Sequence, residues 1–394
     1  MTGILSGIRV LDFGRYIAGP YCAALLAEQG AEVIRIEKRD GSEDRFLTPV
    51  GADGVGALFL QMNRNKLSMT LDPMTPEGQE IVRRLVATAD VVVANLPPPT
   101  LRAMRLDYDS LASAKRDIIL TTSTAYGNGG PYVDRVGFDG VGQAMSGAVY
   151  MTGEPDQPYR AWVPWVDFGT ALHCAFGTLA ALMARRETGK GQKVEGALLA
   201  TAVTFTNATL IEQAVIEANR VPTGNRGQTA APFDLYRTRD GWIICQVVGA
   251  PLFRRWARLM GEPHWLEDPR FKSDLARGEH GAVISERMQR WCGERGTAEA
   301  LDILGREKIP AAKVLTPQEV LDDPQVRAMG FFEPIDYPGL RRAAPVAKAP
   351  VWLSATPGAI RRRAPLLGEH TDAIMAELGY DAGAIQALRK KAVI

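Results

Sequence analysis

Cysteine and histidine are scarce in this chain of 394 residues, with four of each. Cys22, Cys174, Cys245 and Cys292 stand far apart and form no C-x-x-C pair, which argues against a zinc site or a redox dithiol. At that density a disulfide framework is also excluded, and a reducing cytoplasmic location is the expectation. The net charge is only +1, so bulk attraction to nucleic acid or to an anionic membrane is not expected. No stretch reaches about 18 uninterrupted apolar residues, the rough length of a membrane span. Met1 to Gly7 shows no basic segment followed by a long apolar run, so no secretory signal is read there. Several motifs are missing as well. Without G-x-G-x-x-G there is no dinucleotide fingerprint, and without G-x-x-x-x-G-K-[ST] there is no nucleotide-triphosphate loop. Without G-x-S-x-G a serine hydrolase of the elbow type is disfavoured, and H-E-x-x-H is absent too. Chemistry here must rest on something other than histidine clusters or a bound metal, and no permanently bound cofactor is implied.

What is present is alternation. Short apolar runs at Ile8–Phe13, Ala31–Ile36, Asp90–Ala94, Ile118–Thr122 and Lys193–Leu198 read as buried strands. Between and after them, Pro20–Gln29, Pro76–Thr88 and Phe168–Arg186 read as helices. Strands alternating with helices imply an α/β fold, with a doubly wound parallel sheet covered on both faces. Ligands of such sheets sit beyond the carboxyl ends of the strands. That places Gly14–Gly19, Glu37–Arg39, Asn95–Pro99 and Ser123–Gly130 along one candidate edge. After Val221 the pattern changes to a hairpin around Asp240-Gly241 and further helices, a smaller α+β domain.

Seven stretches together resemble the class III CoA-transferase family, which includes formyl-CoA transferase and carnitine CoA-transferase. They are L-S-G-I-R-V-L-D-F-G with A-G-P at 18–20, G-A-E-V-I-R-I-E-K at 30–38, and N-R-N-K-L-S-M-T-L-D at 63–72 with T-P-E-G. G-P-Y-V-D-R-V-G-F-D at 130–139, Q-A-M-S-G at 143–147, T-G-K-G-Q-K-V at 188–194 and G-E-H-T at 368–371 complete the set, in the family's order over nearly the whole chain. The resemblance implies a large domain built from both chain ends, 1–224 and 329–394, and a small domain at 225–328. It also implies an interlocked homodimer, and an acyl-CoA and a carboxylic acid as substrates.

On its own, Asp167 in V-P-W-V-D-F-G-T reads as a helix N-cap, because Asp is a favoured capping residue. The resemblance makes it the nucleophile that stores the thioester bond as an aspartyl anhydride and then as an aspartyl-CoA thioester. It also implies CoA contacts from Ile17, Lys38, Leu71, Asn95, Leu96, Arg102 and Arg135. Family members often carry arginine where this chain has Ala103, which leaves Arg102 or Arg105 as the neighbouring cation. Asp139 matches an acidic position near the active centre, and two glycine turns, Gly224–Gln228 with Gly224 and Gly227, and Gly127–Gly130, could supply oxyanion N–H groups. Read from the residues alone, these are an ordinary cap and ordinary glycine turns. Trp162 and Trp165 are candidates for an acyl-pocket wall, or simply core aromatics. Two other readings use the same fold. An α-methylacyl-CoA racemase needs a titratable proton carrier where this chain has Phe138, and a non-catalytic CoA-binding protein has no need of Asp167.

Overall fold

The computed structural model describes residues 3–51 and 54–394. Its main sheet has six parallel strands: β1 (Arg9–Asp12), β2 (Glu32–Glu37), β3 (Lys66–Thr70), β4 (Val91–Ala94), β5 (Ile119–Thr124) and β6 (Lys193–Ala197). They run in the order β3-β2-β1-β4-β5-β6. The register explains why the strand sequences are apolar without alternation. Val33, Val10, Val91 and Ile119 form one row across four strands, and Ile34, Leu11, Val92 and Leu120 form the next. The two rows face opposite sides, and both sides are covered. The first row packs under α1 (Ala18–Glu28), α4 (Trp165–Thr188) and their neighbours. The second packs under α2 (Pro76–Thr88) and the helices at Thr371–Glu377 and Ala382–Lys390 near the carboxyl end of the chain.

Two further helices matter for the site, α3 (Asp139–Met145) and α5 (Leu198–Ile216). Helix α2 begins where the sequence places it. Thr75 caps it by accepting from the Gly78 N–H, and Pro76 occupies the first turn, where its missing donor costs nothing. Helix α4 begins three residues before Phe168, the start the sequence suggests, because its first N–H groups find an acceptor outside the helix. The apolar length of α4 is spent largely on packing against α1 and the sheet. Helices α4 and α5 are both long and apolar enough to cross a membrane. Much of α5 faces outward, with Phe205, Leu210, Ile211, Val215 and Ile216 exposed.

The chain divides into two compact units. One comprises residues 1–146, 161–211 and 329–394 and holds the six-stranded sheet. The other comprises 147–160 and 212–328, and so takes two segments beyond the 225–328 read from the sequence. Its antiparallel strands β7 (Phe233–Arg237), β8 (Trp242–Gln246) and β9 (Ala311–Lys313) pack over a core containing Tyr236, Trp256 and Met288.

Candidate active site

The strand order reverses direction between β1 and β4, the place where open parallel sheets bind ligands. A cavity of about 420 Å³ lies there. Its walls are Arg15, Tyr16 and Ala18 after β1, Asn95–Pro99 after β4, Ser123–Ala125 at the end of β5, the 133–138 segment, Asp167 and Leu198. Every lining residue belongs to the first unit. Of the four loops that the sequence sets along this edge, the one at Glu37–Arg39 stays out of the lining.

Asp167 sits in the first turn of α4 and not at its cap, the position that the sequence suggested; the cap falls on Pro164. The capping acceptor comes instead from Asp139, 28 residues earlier. One Asp139 carboxylate oxygen accepts from the Val166 N–H at 2.8 Å and the Asp167 N–H at 3.1 Å. Its other oxygen accepts from the Gln143 amide, and the Gln143 carbonyl accepts from the Ala161 N–H at 2.9 Å. Asp139 and Gln143 are buried. This chain of bonds fixes the backbone on which Asp167 stands. Burial pushes the Asp167 carboxyl up to about 7, and the nearby Asp139 carboxylate adds to the effect. A helix N-terminus favours the ionised form, yet here desolvation and a like charge outweigh it. A carboxyl with that value changes charge near neutral pH, as nucleophiles and general bases in clefts do.

Behind the β1–α1 loop lies a second set of charges. Asp12, Arg35, Glu37, Asp44, Arg45 and Lys66 are all buried. Arg35 contacts Asp44 at 2.8 Å and Glu37 at 3.3 Å; Arg45 contacts Glu37 at 2.6 Å; Lys66 contacts Asp12 at 2.6 Å. Burial alone would raise Glu37, but Arg35 and Arg45 hold it down at about 2. Burial pulls Lys66 down to about 8 even beside Asp12. Buried ion pairs of this kind add little net stability, so the set is better understood through what it holds. It holds the loop. Asp12 accepts from the Gly14 N–H at 2.8 Å and Asp44 from the Tyr16 N–H at 3.2 Å. Tyr16 has a φ of 61°, a conformation uncommon for a residue with a side chain, and it sits edge-on to Phe138 at 5.5 Å.

Comparison with known proteins decides the family. The family whose model matches is CoA-transferase family III, over residues 5–371. The chain belongs to CoA-transferase family III. It is similar to a succinyl-CoA–D-citramalate CoA-transferase of Chloroflexus aurantiacus, at 34% identity over 99% of this chain and 98% of that one. It is also similar to a succinate–glutarate CoA-transferase of Agrobacterium fabrum, at 33% identity over 95% of each. Among solved structures it resembles a CaiB/BaiF family protein of Brucella suis, with a TM-score of 0.83, 32% identity and coverage of 96% of this chain and 100% of the other. Enzymes of this family use CoA thioesters as substrates.

Within this family III chain, Asp167, Asn95, Leu96 and Arg135 line the cavity together. Arg135 lays its guanidinium over the Tyr132 ring at 4.0 Å. The Asn95 amide is also engaged with the β1–α1 loop. It accepts from the Arg15 N–H at 2.6 Å and donates to the Arg15 carbonyl at 2.8 Å. Ile17 and Leu71 pack in the two cores on either side of the sheet and are not among the lining residues. Lys38 is outside the lining and exposed, and is paired with Glu43 at 2.6 Å. Arg102 is exposed at the end of a short helix after the cavity's proline run. Gly224 and Gly227 belong to the second unit. The Gly224 N–H donates to Gly153 and φ is 62°, while a side chain at Gly227 would meet Phe233. Trp165 stacks on Phe205 and Trp162 is 87% exposed; neither lines the cavity. The sequence reading passed over Arg15, Tyr16 and Gln143. Arg15 and Tyr16 lie inside the motif around A-G-P, and Gln143 opens the Q-A-M-S-G stretch, but only the fold shows what they touch.

Proposed function

We propose that the chain moves CoA from an acyl-CoA donor to a carboxylic acid acceptor, with Asp167 carrying the bond between them. The supporting observation is one carboxyl, Asp167, set on an anchored helix turn in the cavity at the sheet's reversal point and poised to ionise near neutral pH. The Asp167 carboxylate attacks the thioester carbonyl and expels the CoA thiolate, giving a mixed anhydride. The thiolate then attacks the aspartyl carbonyl and expels the donor's acid as its carboxylate. An aspartyl-CoA thioester remains. The acceptor carboxylate attacks this thioester, the thiolate leaves and returns to the acceptor's carbonyl, and Asp167 is released unchanged. No net proton is taken up, so no histidine is needed. Asp139 acts in this scheme as a positioning residue, through the Val166 and Asp167 N–H groups.

The two relatives named above exchange CoA between dicarboxylic acids, and such acids are the first donors and acceptors to supply. In this reading the CoA body follows the cavity wall past Leu96 and Asn95, with Arg135, Lys38 and Arg102 as the cations available to its phosphates. A homodimer fits the apolar outer face of α5, which a second copy would cover. Four buried free cysteines suit a reducing cytoplasm. In place of the proton carrier that a racemase needs, the chain has Phe138, which brings no titratable group to the cavity. The test is transfer of label from a free dicarboxylic acid into acyl-CoA by wild type and Asp167→Ala. Loss of roughly a thousandfold or more, with the fold retained, is expected; retained transfer in the variant refutes the scheme.

A further inference from the structure

Arg15 shares the cavity with Asp167, yet among the described residues no carboxylate lies within ion-pair distance of it. Its guanidinium donates to the Ser42 hydroxyl, a neutral and buried partner. Of the nearby acids, Asp44 is committed to Arg35, Asp12 to Lys66 and Glu43 to Lys38, and Asp134, also in the cavity wall, is exposed and beyond ion-pair distance of Arg15. Arg15 is half-buried, so its charge is partly desolvated and an incoming anion would be bound more strongly than at an open surface. Its backbone is held on both sides by side-chain hydrogen bonds. Asn95 bonds its N–H and its carbonyl, Asp12 bonds the Gly14 N–H, and Asp44 bonds the Tyr16 N–H. A cation with no carboxylate at ion-pair distance among the described residues, held in the same cavity as the nucleophile, can receive an anion. Arg135, the other cation in the wall, differs in being exposed and resting on Tyr132.

We infer that Arg15 is a specificity-determining residue that receives the distal carboxylate of a dicarboxylic acyl group while the thioester end lies at Asp167. The inference rests on the reading of Asp167 given above. A guanidinium suits this task because it pairs with a carboxylate through two parallel hydrogen bonds. A monocarboxylic acyl chain of the same length would leave Arg15 unanswered. The site would then select between substrates by an unpaired, partly desolvated charge, which discriminates more sharply than a missing methylene.

The test uses binding in an Asp167→Ala background, where no turnover occurs, with succinyl-CoA, butyryl-CoA and free CoA as probes in calorimetry. Succinyl-CoA should bind at least roughly tenfold more tightly than butyryl-CoA. Adding Arg15→Gln should bring that ratio to about one while leaving butyryl-CoA and free CoA within about threefold of their starting affinities. Arg15→Lys should keep part of the preference, and Ser42→Ala should reduce it. If Arg15→Gln weakens free CoA as much as succinyl-CoA, the guanidinium serves a CoA phosphate and the inference fails. It fails equally if the preference is missing at the outset or survives the substitution. Failure of the Asp167 reading looks different: Asp167→Ala would then retain label transfer whatever Arg15 does.

Discussion

Two groups of charged side chains flank the β1–α1 loop and are treated in opposite ways. Behind the β1–α1 loop, Asp12, Arg35, Glu37, Asp44, Arg45 and Lys66 are buried and paired with one another. In the cavity in front of it, Asp167 and Arg15 have, among the described residues, no partner of opposite charge within ion-pair distance. The first group is a scaffold, and its charges are answered within the fold. The second is a site, where charge is left for a substrate to answer. Removing a charge should therefore have opposite signs in the two places.

The largest effect is expected in the scaffold. Arg35→Met leaves the Asp44 carboxylate buried with no cation, which should cost about 3–5 kcal/mol of unfolding free energy in a denaturant titration. A loss under about 1 kcal/mol would mean that the cluster is far better hydrated than its burial indicates.

In the cavity the sign reverses. The Asp167 carboxyl lies at about 7 in the folded protein, above the ordinary aspartate value near 3.9. Between those values the folded state holds the proton more tightly than the unfolded chain does. Stability is therefore lost as pH rises through this window, and the ionised group is a burden above it. Asp167→Asn, which cannot ionise, should be more stable than wild type at pH 8 by about 1–3 kcal/mol, with no advantage near pH 4. Thermal melts at both pH values check this.

A smaller effect concerns rate. With the acid limb set by Asp167, kcat/KM should rise with pH through about 7. Asp139→Asn removes the neighbouring carboxylate while leaving an oxygen able to accept from the helix N–H groups. It should move that limb to lower pH by roughly half a unit to one unit. A limb that stays in place would show that burial alone sets the ionisation. The smallest effect belongs to the exposed Lys38–Glu43 pair. Lys38→Ala should leave the denaturation midpoint unchanged and weaken CoA binding only several-fold, a rim contact rather than part of either group.

The contrast between these groups also marks what a sequence alone displays. The strands were legible because both faces of a parallel sheet are buried, so V-V-V-A is apolar at every position and Val10-Leu11 and Val33-Ile34 are apolar towards both faces. The motif order placed Asp167 in the site's vicinity. Strand β3 was not legible as a strand, since K-L-S-M-T opens on a lysine, and the lysine is explained only by Asp12, 54 residues away. The cap on α4 was misplaced for a similar reason. Asp167 has the right chemistry for a cap, and nothing local reveals that Asp139 has taken the role. Nothing in the sequence sets Arg15 apart from other arginines; only the fold shows that Asp12, Asp44 and Glu43 are paired with other cations. Pairing across distant segments is a property of the fold, and it decides which charges remain available.

The central claim is that Asp167 forms a covalent bond with the substrate, and trapping that bond tests it most directly. Wild-type protein would be mixed with succinyl-CoA in the absence of acceptor, quenched with hydroxylamine, digested and sequenced by mass spectrometry. The account predicts an aspartyl hydroxamate on the peptide containing Asp167, dependent on acyl-CoA and absent from Asp167→Ala. Turnover with an unmodified Asp167, or a hydroxamate on another carboxyl that persists in Asp167→Ala, would contradict it.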